Sequence, residues 1–283
     1  MPDILEKIGN SQIQHGPDNN RIYLMKLDPT DLPEIIDQLD ALASEKGYTK
    51  IFAKVPEPCA SEFVRNGYRS EGMIPHFYNG ETTATFLGKF IDPSREITTQ
   101  RDEIEKIIIL AQSQIGLPQK DLPNGYTLRA AVETDAEGLA EVYRQVFASY
   151  PFPIHDPDYL IETMRKQVCY FVAEKNGEIA ATSSGEIDLE NRNAEMTDFA
   201  TLPDHLGNGL AAHLLRFMEP EMIKRGIATL YTIARAISPG MNITFAKCGY
   251  TFSGTLINNT QISGSIESMN LWHQSVLMTG YRI

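Results

Sequence analysis

Cysteine is scarce in this 283-residue chain. Cys59, Cys169 and Cys248 are far apart and odd in number, so neither a disulfide framework nor paired metal-ligand spacing is available. A reducing cytoplasm is the compartment this predicts. The six histidines, His15, His76, His155, His205, His213 and His273, show no metal-ligand spacing either, and no metal is expected. Long apolar runs are missing: the most apolar short stretch, residues 107–111, is far below the ~18 residues of a membrane span, and the N-terminus lacks a basic-then-apolar signal pattern. Positive charge is in deficit, with 25 Lys and Arg against 37 Asp and Glu, a net charge of −12. A field of that sign repels phosphate backbones and acidic lipid headgroups, so neither nucleic acid nor a membrane is expected as partner. The deficit is spread evenly, 13 basic against 19 acidic residues up to residue 125 and 12 against 18 after it, so no charged tail exists.

What is present is an ordinary globular composition, 42% hydrophobic and 22% charged, in a length that favours two units over one. Residues 115–125 are dense in Pro and Gly and lack any period, which places a connection between an N-terminal unit (1–114) and a C-terminal unit (126–283). In the first, apolar residues at Ile35, Ile36, Leu39, Leu42 and Ala43 predict a helix over 32–46 that Gly47 ends. A strand over 48–55, a short helix over 60–66 and strands over 69–77 and 83–90 joined at Asn79-Gly80 make this unit α/β. The second reads as strand 126–130, helices 135–148 and 157–166, strands 168–174, 179–188 and 194–202, and a long helix 209–224 in which Pro220 should kink or restart the chain. Strand 229–234, helix 241–247 and strands 251–257 and 270–278 complete it. One echo links the halves: a strand, a short helix, Gly67-Tyr68 and then Gly72 match a strand, a short helix, Gly249-Tyr250 and then Gly254. It suggests that the N-terminal unit is a shortened relative of the C-terminal one.

The most informative stretch is Ala194-Glu195-Met196-Thr197-Asp198-Phe199-Ala200-Thr201-Leu202, followed after a short loop by Leu206-Gly207-Asn208-Gly209-Leu210-Ala211. A strand feeding a glycine turn that opens a helix aims unpaired backbone N–H groups and the positive helix end at one spot, which suits a pyrophosphate. The preceding strand belongs to an antiparallel run, which argues against a dinucleotide βαβ unit, and no Gly-Lys-Ser/Thr follows to make a P-loop. At these residues the chain resembles the GCN5-related N-acetyltransferase (GNAT) superfamily. The element order from residue 126 onward resembles that fold, a mixed sheet flanked by helices, here preceded by a smaller GNAT-like α/β unit. The segment from Asn242 through Phe245 to Gly249-Tyr250 resembles the family's later helix. Further stretches, Ile51-Phe52-Ala53-Lys54-Val55-Pro56, Phe77-Tyr78-Asn79-Gly80-Glu81, Tyr150-Pro151-Phe152-Pro153, Thr197 to Thr201, and Asn258-Asn259 with Glu267 and Met269-Asn270-Leu271-Trp272, are similar to one group within it, the beta-lysine N6-acetyltransferases.

The resemblance implies acetyl-CoA as cosubstrate and the side-chain amine of beta-lysine as acceptor, with a neutralised compatible solute as product. It implies that Phe199, Ala200, Thr201, Leu202, Leu206, Gly207, Asn208, Gly209, Leu210, Ala211, Asn242 and Phe245 hold the coenzyme. Two departures stand out: Leu206 replaces the usual basic residue, and Phe245 replaces a tyrosine able to protonate the leaving thiolate. Because a lysine-like amine is almost fully protonated at pH 7, some group must take its proton, and Glu195 is the candidate base. Asp198 and Tyr150 are the other catalytic candidates. Strand alternation puts Glu195, Thr197, Phe199 and Thr201 on one face and Asp198 on the other unless a bulge intervenes. Glu186, Asn258, Asn259 and Glu267 are the candidates for holding the acceptor's ammonium groups. A polyamine, another diamino acid or a protein amine stays open as acceptor, as does a non-catalytic acyl-CoA sensor, and a homodimer is left open.

Overall fold

Each half of the chain repeats one folding solution: an antiparallel strand run, a helical crossover into a parallel neighbour, then a helix and a hairpin. The structure, a computed structural model, describes residues 3–118, 120–148, 150, 152–262 and 264–276. Strands β1 (Ile4–Ile8), β2 (Ser11–Gly16) and β3 (Arg21–Lys26) lead into helix α1 (Glu34–Lys46), β4 (Lys50–Pro56), α2 (Glu57–Arg65), the pair β5 (Arg69–Tyr78) and β6 (Thr82–Phe90), and α3 (Arg101–Gln112). After the connection come β7 (Tyr126–Ala130), α4 (Ala136–Val146), α5 (Pro157–Lys166), β8 (Val168–Lys175), β9 (Glu178–Asp188), β10 (Asn193–Thr201), α6 (Leu210–Lys224), β11 (Thr229–Arg235), α7 (Pro239–Lys247), β12 (Thr251–Ile262) and β13 (Ser265–Ser275).

Local chemistry sets these bounds. The α1 stripe buries Ile35, Ile36, Leu39 and Ala43, and Gly47 closes the helix in the left-handed region at φ 70°, its N–H returning to the Ala43 carbonyl. Asn176 and Gly177 both take positive φ, 55° and 84°, as a tight two-residue hairpin between β8 and β9 requires. Three readings need correction. Residues 4–26 and 101–112, to which the sequence pattern above assigns no element, form β1 to β3 and α3. Helix α6 continues through Pro220 rather than restarting, since the proline removes one backbone bond while Leu214, Leu215, Met218 and Met222 stay buried around it. The last strand ends at Ser275, and the expected end at Met278 lies outside the described residues, as does Pro151.

The described strands form one sheet in the order β1-β2-β3-β4-β6-β5-β12-β13-β11-β10-β9-β8-β7. Only β3 with β4 and β10 with β11 run parallel in it. The halves join edge to edge where Gly72 of β5 pairs with Gly254 of β12, the two glycines of the sequence echo. A side chain has no room there: a Cβ on Gly254, whose φ is +145°, would sit 2.1 Å from the Glu71 carbonyl oxygen. Buried cations fasten the seam. Lys50 Nζ lies 2.8 Å from a Glu71 carboxylate oxygen and donates to the Ile257 carbonyl at 2.7 Å. Arg95 donates to the Asn258 carbonyl at 3.0 Å. Helix α3, although N-terminal to the connection, places Ala111 in the same core as Phe245 and Ala246 of α7.

The helices leave one face open between the halves. Helices α1 and α2 cover the side of the first half bearing Ile22, Leu24, Ile51 and Val55. In the second half α6 and α7 cover Ala194, Met196 and Leu230, while α4 and α5 cover Tyr170, Val172 and Ala200 on the opposite face. The remaining strand faces meet in a third apolar cluster that includes Tyr23, Phe52, Phe77 and Tyr231. The candidate site lies beside this cluster.

Candidate active site

Strands β10 and β11 pair over only three positions, Asn193 to Glu195 against Thr229 to Tyr231, and then diverge. From Met196 onward the second edge of β10 therefore faces a gap. Leu202 donates its N–H across to Ala180 at 3.0 Å, so strand alternation turns the N–H groups of Thr201 and Phe199 into that gap. Past the strand, Gly207 and Gly209 sit at φ 80° and 69°, and no atom lies within 4 Å of where their side chains would be. Helix α6 starts at this turn with no side-chain cap and no acid in its first turn, leaving its leading amides free for an anion. The loop is braced from below: the Tyr126 hydroxyl lies 2.6 Å from His205 Nδ1, and Asn208 donates to the His205 carbonyl at 3.0 Å. Leu206 is exposed beside it.

A bulge settles which side chains share a face. Thr197 pairs with Ser184 but Ala200 with Thr182, so β10 carries one extra residue, and Asp198 takes it up at φ 53°. The simple alternation is thereby corrected. Ala200 joins the face of Glu195 and Thr197 and packs under α4 and α5, while Phe199 goes to the other side and meets Phe245 edge-on at 5.6 Å. Asp198 turns toward the Glu195 side, where it accepts hydrogen bonds from the Ser184 and Tyr150 hydroxyls at 2.5 Å each.

Three carboxylates thus converge. Glu195 stands directly opposite Glu186 in the ladder, and Asp198 joins them through the bulge. Burial is the main force raising all three. It lifts Glu195 to about 7 against the opposing pull of Lys54, the Tyr231 hydroxyl and the Ile233 main-chain N–H, with Asp198 adding to the rise. Glu186 is the most exposed of the three, and desolvation together with the charges of Glu195 and Asp198 raises its carboxyl above the ordinary range. Burial raises Asp198 too, opposed by its bonds to Ser184 and Tyr150. A site of this kind holds a cation and can take a proton from it near neutral pH.

The structure gives the other candidates partners of their own. Glu267 is paired with Arg235 at 2.6 and 2.9 Å. Asn258 donates to the Arg95 and Ile97 carbonyls, and the Asn259 carbonyl accepts from Arg21 at 2.5 Å. These three belong to the seam and its flank. Asn242 is fully buried: it donates to the Arg235 and Ser238 carbonyls and accepts from Asn270 and Trp272, so it organises the start of α7. Phe245 is buried too, and the Tyr250 hydroxyl is engaged by Glu219. Lys54 carries no sequence signal that marks it as a site residue. It reaches the cleft from β4, where Phe77 and Tyr231 flank its ammonium at 5.2 and 5.7 Å from their ring centroids.

A strand pair that splays beside a glycine turn, with a carboxylate near neutral pKa at the fork, defines an acyl-transfer site of the acetyltransferase type. The model of the Acetyltransferase (GNAT) family matches residues 137–250. The chain is similar to the Beta-lysine N(6)-acetyltransferase of Methanococcus maripaludis, with 43% identity over 97% of this chain and 99% of that protein. The protein of the same name from Methanosarcina mazei is 36% identical over 84% of this chain and 96% of its own length. N-acetyltransferase YodP of Bacillus subtilis is 30% identical, covering 92% and 94%. The chain belongs to the GNAT family of acetyltransferases.

Proposed function

We propose that the protein transfers the acetyl group of acetyl-CoA to the N6 amine of beta-lysine by direct attack within a ternary complex. The observation that carries this reading is the convergence of Glu186, Glu195 and Asp198 at the fork between β10 and β11. The open glycines and uncapped start of α6 suit the diphosphate of the coenzyme, held by main-chain amides from Gly207 to Ala211. The N–H groups of Phe199 and Thr201 would then face the thioester carbonyl as charge builds on its oxygen.

The acceptor's ammonium binds among the carboxylates. One proton passes to Glu195, the freed nitrogen attacks the thioester carbon, and the carbon–sulfur bond breaks as the nitrogen sheds its second proton to water. No side chain is assigned as acid for the sulfur. Phe245 has no proton to give, Tyr150 donates to Asp198, and Tyr250 is engaged by Glu219, so the thiolate takes its proton from water. Asp198 and Tyr150 act as positioning residues that keep the bulge and its negative charge in place. Mixing the protein with acetyl-CoA and beta-lysine should release free thiol and yield a product acetylated at N6. Absence of thiol release between pH 6 and ~9.5, where the amine begins to deprotonate unaided, would refute the assignment.

A further inference from the structure

The three carboxylates account for the ammonium groups of a diamino acid but not for its carboxylate. Among the described residues, the cation whose charge acts on both Glu186 and Glu195 is Lys54. It comes from the N-terminal unit, outside the span that the family model matches. Its ammonium lies between Phe77 and Tyr231 and interacts with the Tyr23 hydroxyl. Lys54 forms no ion pair among the described residues, unlike the buried Lys50, which is paired with Glu71. It is therefore held in position by aromatic groups and still free to receive an anion.

Lys54 also lines a second cleft of about 350 Å³, walled by Met25, Phe77 and Tyr78 with Asp188 at its side. That volume lies within the range of small-molecule sites, about 300–1,000 Å³. Asp188 follows Glu186 by two residues on β9 and so shares its face; its carboxylate accepts from the Asn191 N–H and side-chain amide at 3.0 and 2.7 Å and keeps its negative charge at the side of this cleft.

We propose that Lys54 of the N-terminal unit receives the carboxylate of the acceptor, and that the cleft beyond it, with Asp188, holds the acceptor's amino-acid end while its terminal amine reaches Glu195. The inference rests on the function proposed above and adds the source of its selectivity. It also gives the N-terminal unit a role: it supplies the half of the acceptor site that a minimal acetyltransferase unit lacks. A carboxylate bound to Lys54 would offset the positive charge that acts on Glu195, so occupancy by the correct acceptor would strengthen the base.

The test compares beta-lysine with 1,4-diaminopentane, the same diamine without the carboxylate, at pH 9 where Glu195 is ionised. Wild-type enzyme should prefer beta-lysine. In Lys54→Met, KM for beta-lysine should rise ~10- to 100-fold, the loss expected for one charge-assisted contact, while kcat/KM for the diamine, which has no carboxylate for Lys54 to hold, does not fall. Lys54→Arg should keep part of the preference. An unchanged Kd for acetyl-CoA will show that the variants fold. Equal losses on both acceptors, or no loss on beta-lysine, would overturn the assignment of Lys54 while leaving the proposed reaction standing. Wild-type enzyme silent on both amines would overturn the proposed reaction and this inference with it.

Discussion

Replacing Glu195 by Gln removes one proton-accepting group at nearly constant volume and keeps an oxygen for Tyr231 and for the Ile233 N–H. With a pKa of about 7, the Glu195 carboxylate must lose its proton before it can accept another. Its active fraction is therefore about one tenth at pH 6 and about nine tenths at pH 8, a roughly tenfold rise in kcat/KM across that interval. A gap of ~3.4 pKa units separates it from an ordinary lysine-like amine, equivalent to ~4.6 kcal/mol. Enclosure of the acceptor amine in the cleft narrows that gap by disfavouring its charged form, while the three carboxylates pull the other way. Glu195→Gln should lower kcat/KM at pH 7 by ~10²- to 10⁴-fold, and the inflection near pH 7 should vanish in favour of a steady climb toward the pKa of the amine itself. The assay is thiol release at subsaturating acceptor from pH 5.5 to 10, with acetyl-CoA affinity measured in parallel. A variant that keeps the inflection near pH 7 would refute the role of Glu195 as base, whatever its absolute rate.

Other parts of the reading can be checked as directly. Gly209→Val should raise Kd for acetyl-CoA by tenfold or more, because a side chain would enter the space where the diphosphate approaches, at a stability cost of only about 1–3 kcal/mol for the positive φ; an unchanged Kd in a binding titration would move the coenzyme elsewhere. Glu219, buried in α6, is raised from the ordinary 4.5 to about 7 chiefly by desolvation. The native state therefore holds its proton longer than the unfolded chain, and stability falls by about 3 kcal/mol as pH rises from 4.5 through 7, after which the loss is complete. Glu219→Gln should remove that slope, and urea titrations showing the same pH dependence in both proteins would contradict it. Gly254→Ala should destabilise the fold by about 3 kcal/mol or more, since the new methyl meets the Glu71 carbonyl; a cost below 1 kcal/mol by urea unfolding would mean that the seam can relax.

Helical stripes and glycine stops were readable because they act locally. The α1 pattern predicted residues 32–46 and the helix spans Glu34–Lys46, and the glycine turns at Asn79-Gly80 and Asn176-Gly177 fall between the strands they were expected to join. Strand β2 was opaque for the opposite reason. Its sequence, SQIQHG, shows no apolar alternation because buried Ser11 and His15 are satisfied by distant partners, Asp31 and Tyr48. The grouping of Glu195 with Asp198 could not be read from alternation, since it depends on a single left-handed residue, and Asp is among the residues that tolerate that conformation without signalling it. Asn258 and Glu267 looked like free polar groups because their partners, the Arg95 and Ile97 carbonyls and Arg235, are far away in sequence or on another strand, while Asn259 is held through its main chain, whose carbonyl accepts from Arg21. Lys54 was invisible as a site residue because its neighbours come from both halves of the chain.

The registers of the two parallel pairs sharpen what the sequence echo hinted at. Arg21 pairs with Lys50 at the start of β3 and β4, as Asn193 pairs with Thr229 at the start of β10 and β11. Counting two residues along each strand, Tyr23 holds the place in the first half that Glu195 holds in the second, and Phe52 the place of Tyr231. After β3 the chain enters Leu27-Asp28-Pro29-Thr30, with Asp28 capping a short turn, where β10 is followed by Gly207 and Gly209 and an uncapped helix. The start of α1, the counterpart of α6, has no glycine turn and carries Glu34 and Asp37 in its first turn, charges that oppose an anion there. The first half therefore repeats the strand order of the second without its glycine turn. Its Tyr23 interacts with Lys54, whose charge acts on Glu195, so the position equivalent to the base steadies the cation that tunes the base. This arrangement accounts for the continuous sheet as well: a lysine that must face Glu195 from the other half needs a rigid seam, and the side-chain-free contact of Gly72 with Gly254 brings the two halves close enough to provide it.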